Sequence, residues 1–523
     1  MFTLLDNFRI AAARADKNTD SRLIPLLEKR FRLAPGTLQG YRILSRRVDS
    51  RKKEVMLNYK LVIEAPFVLP GGVEATAENM ALLQPPQLQL PDVSGIPHNP
   101  VVIGTGPAGI FAALALAEAG LSPIVLDRGQ DMAGRIAGQK KFLQTRILDE
   151  NDNLLIGEGG AGAFSDGKLY TGTKDPMGRF VLHTLVSAGA APELLYRARP
   201  HVGSDYLHQI GVALRKKIIA SGGSFRFGAE VVDVVEKDHR CAGVKLADGE
   251  IIPAHAVLLA PGLGGRKLLR KLAGKVDCVL KPFQMGCRIE HPQEWVDLRQ
   301  YHGSRPEALE AAEYHLVDRP GGAAPQVSSF CMCPGGRIVN ASAWQGHSAT
   351  NGVSDYARSG EFANSCLIAT LRPPETWSFD DAFELIEKAE RRIFAAGGTD
   401  YTFPAQDADA FLQGKLKLAS AATACETGIV AGRIDRLIEP FLRDAITFAL
   451  KDFDARMPGF IRYGKLVGME SCVSSPLRVV RDENNSSSLP GLFVAGEGVG
   501  GAGGIVSAAC DGLRSAVKMM QYK

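Results

Sequence analysis

The sequence predicts an α/β protein in which a Rossmann-like parallel sheet is built from separate parts of the chain. Residues 101–128 read as a buried strand, a glycine turn, an apolar helix and a second strand. Residues 256–262 read as a further buried strand that ends in a glycine turn, and residues 492–512 as a strand, a glycine loop and a helix. Buried strands that alternate with helices are typical of a parallel sheet covered on both faces.

The first of these segments has the spacing of a dinucleotide site. Gly104 permits a tight turn, Gly106 lets the backbone approach a pyrophosphate, and Gly109 lets the helix pack closely on the strand. The unpaired N–H groups at the start of the helix bind phosphate. Asp127 follows Gly109 by 18 residues, a distance at which a carboxylate bonds a ribose hydroxyl. Because both strands and the acid are present, the segment predicts a bound dinucleotide.

The C-terminal glycine block indicates which dinucleotide is bound. Residues 492–495 form an apolar strand that leads to Gly496 and Glu497, and a helix begins near Gly504. This arrangement resembles the second FAD fingerprint of the glutathione-reductase-like flavoproteins. The resemblance implies that Glu497 bonds the ribityl chain and that the helix directs its N-terminus at the flavin pyrimidine ring. That end of a helix carries about half a positive charge, which favours the anionic reduced flavin.

A third motif lies between these two. Residues 256–262 resemble the middle motif of the same flavoproteins, where the chain returns to the nucleotide half after a small β excursion. Residues 225–252 supply that excursion, with strands expected at 231–235 and 242–246 and a hairpin turn at Asp248-Gly249 that joins them. Three motifs in this order favour FAD over NAD.

Blocks outside the nucleotide motifs are similar to those of the uncharacterised bacterial FAD-dependent dehydrogenases, whose substrate is unknown. These blocks are residues 157–169, residues 329–336 and residues 474–478, and the likeness extends over the whole chain. The resemblance implies an FAD fold and a redox activity, but no particular substrate.

The glycine-rich segment 157–169 and three polar side chains supply the remaining candidates. In related flavoproteins such a loop runs beside the isoalloxazine, so Lys168 would stabilise reduced flavin. Arg478 would anchor an anionic substrate and Tyr356 would donate a proton, and these three are the catalytic candidates. Arg135 would pair with phosphate or meet the adenosine. The residues assigned to FAD are Gly104, Gly106, Pro107, Ala108, Gly109, Asp127, Arg128, Arg135, Gly159, Gly160, Gly162, Val231, Ala260, Gly262, Gly496, Glu497, Gly503, Gly504 and Ile505.

The pair Cys331 and Cys333 allows three interpretations. The two cysteines could be small apolar residues on a strand, a redox pair that trades electrons with the flavin, or two metal ligands. A metal site needs further ligands at related spacing, which we do not recognise, so no metal is predicted. A disulfide across a single residue is strained, so the structural interpretation is favoured over the redox pair.

Length predicts several domains, because 523 residues exceed a single hydrophobic core. We expect a small basic α/β domain of the ferredoxin-like type at residues 1–80 and a proline-rich linker at 81–97. The FAD-binding domain would occupy residues 98–274 and 456–523. An α+β substrate or cap domain would be inserted at residues 275–455.

Charge and cysteine content bear on partners and compartment. Residues 1–65 carry 14 Lys and Arg against 7 Asp and Glu, in a chain of net charge +4. This excess indicates a solvated basic face or, alternatively, a docking surface for an acidic partner or RNA. Nine scattered cysteines, the lack of an apolar run of about 18 residues and the lack of a signal-peptide pattern predict a cytoplasmic protein with no membrane span.

Three functions are compatible with these features. The favoured one is an FAD-dependent oxidoreductase that passes a hydride between flavin N5 and a small organic substrate. The others are a flavin-dependent RNA-modifying protein and a flavin module that docks an electron-transfer protein, although nucleic acid is the less expected partner. The Gly262–Gly265 stretch does not open a second dinucleotide fold, so NAD(P)H would bind only transiently.

Overall fold

The computed structural model describes residues 1–169, 175–320 and 325–523. Its N-terminal domain is a four-stranded antiparallel sheet of order β2-β3-β1-β4. The elements are β1 (Phe2–Ala11), α1 (Leu23–Phe31), β2 (Gly40–Asp49), β3 (Met56–Glu64), β4 (Val73–Glu74) and α2 (Ala77–Ala81). The second helix follows β4, and the described residues 65–72 between β3 and β4 contain no helix. The expected ferredoxin-like unit therefore differs in its second half.

The nucleotide-type fold is a five-stranded parallel sheet of order β22-β11-β5-β6-β7. Its first part contains β5 (Val101–Ile103), α3 (Pro107–Glu118), β6 (Ile124–Leu126), α4 (Met132–Thr145), α5 (Met177–Ser187), α6 (Ser204–Ala220) and β7 (Ser224–Arg226). The segment continues with β8 (Val231–Lys237), β9 (Arg240–Leu246), β10 (Ile251–Pro253), β11 (Val257–Leu259) and α7 (Arg266–Leu272). The four strands β5, β6, β11 and β22 are short and wholly apolar because helices and the excursion cover both faces, whereas the edge strand β7 exposes Ser224 and Arg226.

The excursion is a three-stranded antiparallel sheet of order β10-β9-β8. Asp238 and His239, both at positive φ, form the turn that joins β8 to β9. The predicted hairpin at Asp248-Gly249 instead joins β9 to β10. The assignment was wrong because two hairpin turns follow one another, and Asp-Gly is the stronger sequence signal of the two.

The inserted domain is organised around a six-stranded sheet of order β14-β17-β13-β20-β18-β19. Its strands are antiparallel except for the parallel pair β18 and β19. Its first half contains β12 (Cys278–Leu280), β13 (Phe283–Pro292), α8 (Gln293–Tyr301), β14 (Val327–Cys333), β15 (Arg337–Asn340), β16 (Thr350–Val353) and β17 (Phe362–Leu371). Its second half contains α9 (Phe379–Ala396), β18 (Phe403–Asp407), α10 (Ala408–Gln413), β19 (Ile429–Ala431), α11 (Ile434–Leu437), α12 (Pro440–Arg456) and β20 (Lys465–Glu470).

The chain returns to the parallel sheet later than the expected boundary at residue 456. The strand β20 pairs with both β13 and β18, so it lies in the middle of the inserted sheet. The return consists of β21 (Leu477–Val479), β22 (Leu492–Val494) and α13 (Ile505–Met519). The inserted domain therefore extends to residue 470.

The helices α3 and α13 pack against each other over one face of the parallel sheet. Gly512 of α13 makes this close approach possible, because a Cβ there would lie 2.0 Å from the carbonyl oxygen of Ala108. Both helices consequently begin at the same edge of the sheet. Within the described ranges, every helix is too short or too polar to cross a membrane.

Candidate functional site

A cavity of about 830 Å³ lies between the parallel sheet and the inserted domain. Ile103, Leu126 and Ala260 line it at the carboxyl ends of β5, β6 and β11, and Phe330 and Cys331 line it from the inserted domain. Doubly wound folds bind their ligands at this edge of the sheet. The cavity is therefore the candidate functional site.

Two helix N-termini open into the cavity. Gly106 precedes α3 and Gly504 precedes α13, and as glycines they have no side chain that could cap the first N–H groups of either helix. Gly106, Pro107, Gly504 and Ile505 all line the cavity. Unpaired N–H groups and the helix dipole favour a negative group at both ends. One molecule with an anionic diphosphate and a ring that accepts negative charge fits this pair of helix N-termini.

The three glycines of the first turn lie in different surroundings. Gly104 has a φ of +95°, and a Cβ there would lie 2.3 Å from the carbonyl oxygen of Ala260. A Cβ at Gly109 would lie 1.9 Å from the carbonyl oxygen of Gly104. At Gly106 the nearest atom would be the Cα of Gly160 at 3.9 Å, so the space beside Gly106 belongs to the cavity.

The acid that follows β6 lies at the cavity wall. The Asp127 Oδ2 accepts the N–H of Thr105 at 2.9 Å, and its Oδ1 accepts the N–H of Gly129 at 2.8 Å. Arg128 also lines the cavity, and its guanidinium donates to the carbonyl oxygen of Gly264 at 3.1 Å. Asp127 thus fastens the glycine turn to the second strand while it faces the cavity.

Arg135 has a different role from the one predicted. It is buried, with 2% exposure, and its guanidinium donates to backbone carbonyl groups of the segment 153–160. It does not line the cavity. The prediction of a phosphate contact is wrong because these carbonyl groups engage the guanidinium. Arg135 instead holds the segment that forms one wall of the site.

The glycine-rich loop passes beside the first helix. Gly160 and Gly162 line the cavity, and a Cβ at Gly160 would lie 3.0 Å from the Cα of Gly106. Gly159 does not line it, and its N–H donates to the carbonyl oxygen of Thr105 at 2.9 Å. Gly159 therefore holds the loop against the first turn, and its neighbours form the surface.

The C-terminal block forms the other end of the site. Gly496, Glu497 and Gly503 line the cavity. The Glu497 Oε1 accepts the N–H of Ser475 at 3.1 Å and lies 3.5 Å from the Lys281 ammonium. Burial raises the pKa of Glu497 despite the opposing effect of Lys281. The carboxylate is fixed at the cavity wall, where it can accept a hydrogen bond from a hydroxyl.

Further predicted residues that line the cavity are Pro107, Ala108, Val231, Ala260 and Gly262.

Of the three catalytic candidates, Lys168 lies at the cavity. Its Nζ lies 2.9 Å from the Oδ2 of Asp166, a fully buried carboxylate whose Oδ1 accepts the Nε–H of Arg358 at 3.1 Å. Burial alone would raise the pKa of Asp166, but Lys168 and Arg358 hold it well below its usual value. Two cations share one carboxylate here, so the group has a net positive charge.

The other two catalytic candidates lie elsewhere. Tyr356 stacks on His201 with ring centroids 5.3 Å apart and is not part of the cavity lining. Arg478 is exposed on β21, and its Nε donates to the carbonyl oxygen of Gly500 at 3.2 Å. The structure therefore places neither side chain at the cavity wall, because proximity to a motif in sequence does not determine which way a side chain turns.

The structure adds Glu470 to the cavity wall, a residue that the sequence did not indicate. Its Oε2 accepts the Nε of Arg288 at 2.8 Å, and Arg288 also donates to the Oδ1 of Asn364 at 2.7 Å. Both charged residues are buried. The sequence did not indicate Glu470 because a single acid at the end of an apolar strand belongs to no spacing motif. Its burial within β20 would mark it as a site residue only once that strand is recognised.

Two family models match the chain in the regions that form this cavity. Residues 99–138 match the model described as "FAD binding domain", and residues 282–472 match "FAD-dependent protein, C-terminal domain-like". The first covers the glycine turn and Asp127. The second covers the inserted domain, and its end at residue 472 agrees with the position of β20.

The chain is similar to known proteins over most of its length. It is 32% identical over 504 residues to an "Uncharacterized protein" of Clostridium beijerinckii, covering 94% of each chain. Among solved structures, a geranylgeranyl bacteriochlorophyll reductase-like protein from Thermoplasma acidophilum has a TM-score of 0.35 at 13% identity, over 81% of each chain. The L-proline dehydrogenase from P. horikoshii has a TM-score of 0.33 at 12% identity, over 80% of this chain and 93% of that one. The relative from Clostridium beijerinckii and the two family models show that the chain belongs to a family of FAD-dependent proteins, and FAD is its cofactor.

Proposed function

We propose that this protein transfers a hydride between the N5 atom of FAD and a small organic substrate that binds between the flavin and the inserted domain. The observation that carries the proposal is that two uncapped helix N-termini share a cavity whose remaining wall comes from that domain. A module that only binds FAD needs the two helix N-termini but not the wall from a second domain. A second domain that closes the cavity supplies a place for a substrate.

Bound FAD supplies the atom that gives or takes the hydride. The chain's own groups would bind it and adjust its charge. The start of α3 would hold the diphosphate, and the start of α13 together with Lys168 would stabilise negative charge on the reduced ring. The inserted domain would exclude water and orient the substrate.

The source of the electrons is part of the proposal. After β11 the chain passes through a short turn into the seven-residue helix α7, rather than into a second strand-turn-helix unit. This supports a nicotinamide that binds transiently, or an electron-transfer protein, as the donor. The Lys168 ammonium, a hydrogen-bond donor at the cavity wall, favours a polarised substrate, such as a carbon–carbon double bond conjugated to a carboxylate.

Rapid mixing tests the proposal. The purified yellow protein is mixed anaerobically with NADH or NADPH, and the flavin absorbance is followed. We expect one nucleotide to bleach the band within seconds and a conjugated unsaturated acid to restore it. A flavin that neither nucleotide reduces, but that a reduced redox protein does, would favour docking to an electron-transfer partner instead. Flavin that no donor reduces would contradict the proposal.

A further inference from the structure

Two cysteines lie at the part of the cavity wall that comes from the inserted domain. Cys331 has a φ of +44°, an uncommon conformation for a residue other than glycine, and lies in the irregularity of β14 between Phe330 and Cys333. Cys331 lines the cavity, whereas Cys333 is fully buried. The Cys333 thiol donates to the carbonyl oxygen of Cys331 at 3.2 Å. Cys331 therefore lies at the cavity wall, and the Cys333 sulfur lies next to its backbone carbonyl group.

The charges around this pair are not balanced. Lys168, Arg358 and Arg288 are the nearby cations, and Asp166 and Glu470 are the carboxylates that pair with them. Glu310 and Glu313 lie farther away, at 3.9 and 4.0 Å from Arg358, and each also pairs with a second arginine, Arg197 or Arg199. One positive charge remains, and a thiolate would neutralise it.

The two thiols consequently differ in acidity. The neighbouring Cys333 thiol, followed by the charges of Lys168 and Arg288, holds the pKa of Cys331 below its usual value, although burial opposes this. The hydrogen bond to Cys331, together with burial, raises the pKa of Cys333 well above its usual value. A stable thiolate beside a protonated thiol is the arrangement of an attacking and a resolving cysteine.

We propose that Cys331 and Cys333 form a dithiol–disulfide centre that exchanges one electron pair with the flavin. The inference rests on the proposed redox function and adds a second redox group to the same site. The Cys331 thiolate and the Cys333 thiol lose two electrons and one proton as their sulfurs join. Oxidised flavin gains the same two electrons and proton. A disulfide across one residue is strained and hence easily reduced, so the transfer also runs in reverse.

Alkylation of the wild-type holoenzyme tests the thiolate. Iodoacetamide is added at pH 6.5 and peptide masses are followed over time. Cys278 and Cys472 are the controls, because both are half-buried like Cys331 and burial raises the pKa of each to about 11. We expect Cys331 to react at least about tenfold faster than either. A rate at Cys331 no greater than that at Cys472 would overturn the proposal.

Reductive titration tests the electron exchange. The holoenzyme is oxidised with diamide, freed of reagent and titrated anaerobically with dithionite. We expect the wild type and Cys278→Ser to take up about two electron pairs per FAD, and Cys333→Ser to take up about one. Mass spectrometry of the oxidised wild type should show a 331–333 bond and seven of the nine cysteines still free to react.

Uptake of a single pair by the wild type would end the inference. If that flavin is still reduced by a nicotinamide and reoxidised by a substrate, the hydride-transfer function stands and only the dithiol centre is lost. If Cys333→Ser does not fold, the wild-type titration and the mass of its oxidised form still decide the matter.

Discussion

Gly106 and Gly109 differ in what an added methyl group would meet. At Gly109 the methyl would collide with the carbonyl oxygen of Gly104, whereas at Gly106 it would enter the cavity. We expect Gly109→Ala to lower the free energy of unfolding by roughly 3 kcal/mol. We expect Gly106→Ala to change it by about 1 kcal/mol or less, but to lose FAD on gel filtration. Denaturant unfolding and the ratio of flavin to protein absorbance measure the two effects, and equal behaviour of the variants would contradict the assignment.

Lys168 is the cation that faces the cavity from the glycine-rich loop. Loss of its charge should disfavour the reduced, anionic flavin. We expect Lys168→Met to lower the flavin midpoint potential by about 30 mV or more. Lys267 also lines the cavity but is largely exposed and pairs with Glu150, so Lys267→Met should leave the potential within about 10 mV. A potential unchanged by Lys168→Met would remove the residue from the redox machinery.

At the scale of elements, the segment 153–160 depends on Arg135. This segment carries no regular secondary structure before Gly160, so its carbonyl groups need donors from elsewhere. Arg135 of α4 supplies them from a buried position. Arg135 is therefore a main support of the site wall, beside the N–H of Gly159 that bonds Thr105.

Replacement of Arg135 tests that dependence. We expect Arg135→Met to cost about 3 kcal/mol of folding free energy, because buried carbonyl groups lose their donors, and to weaken FAD retention. Arg179 is the matched control, since its exposed guanidinium donates to the carbonyl groups of Ala81, Leu82 and Gln84. Arg179→Met should cost less than about 1 kcal/mol in chemical denaturation. Equal costs would show that burial of the donor is not decisive.

The residues of the site show which of its features the sequence can predict and which it cannot. The positions of Gly104, Gly109 and Asp127 follow from backbone geometry, which a fixed spacing encodes. The surroundings of Arg135 and Arg478 depend on contacts made after folding. An arginine after a nucleotide motif faces either phosphate or carbonyl groups, and local sequence does not distinguish them.

For the whole molecule, two buried histidines predict how stability depends on pH. Burial lowers the pKa of both His201 and His291 to about 4, and each of these residues is at most 2% exposed. Their folded pKa lies below the unfolded value of about 6.5, so this contribution is complete above that pH and is lost as the pH falls towards 4. Each should remove about 2 kcal/mol between pH 7 and pH 5.

Urea denaturation at several pH values measures this loss. The two histidines together should make the free energy of unfolding fall as the pH is lowered from 7 to 5. We expect His291→Gln to remove about half of their contribution to this slope. His98 is exposed, so His98→Gln should keep the wild-type slope. A slope identical in all three proteins would mean that the buried rings do not titrate in this range.

The position of β22 has a consequence for how the protein is made. This strand pairs with β11 only after the complete inserted domain has been synthesised, and the start of α13 follows it. Long-range parallel pairing forms late and slowly. A nascent chain on the ribosome therefore completes the start of α3 long before the start of α13, and a cavity with both helix N-termini awaits synthesis of β22 and α13. Chains that terminate before residue 492 should accumulate as colourless protein.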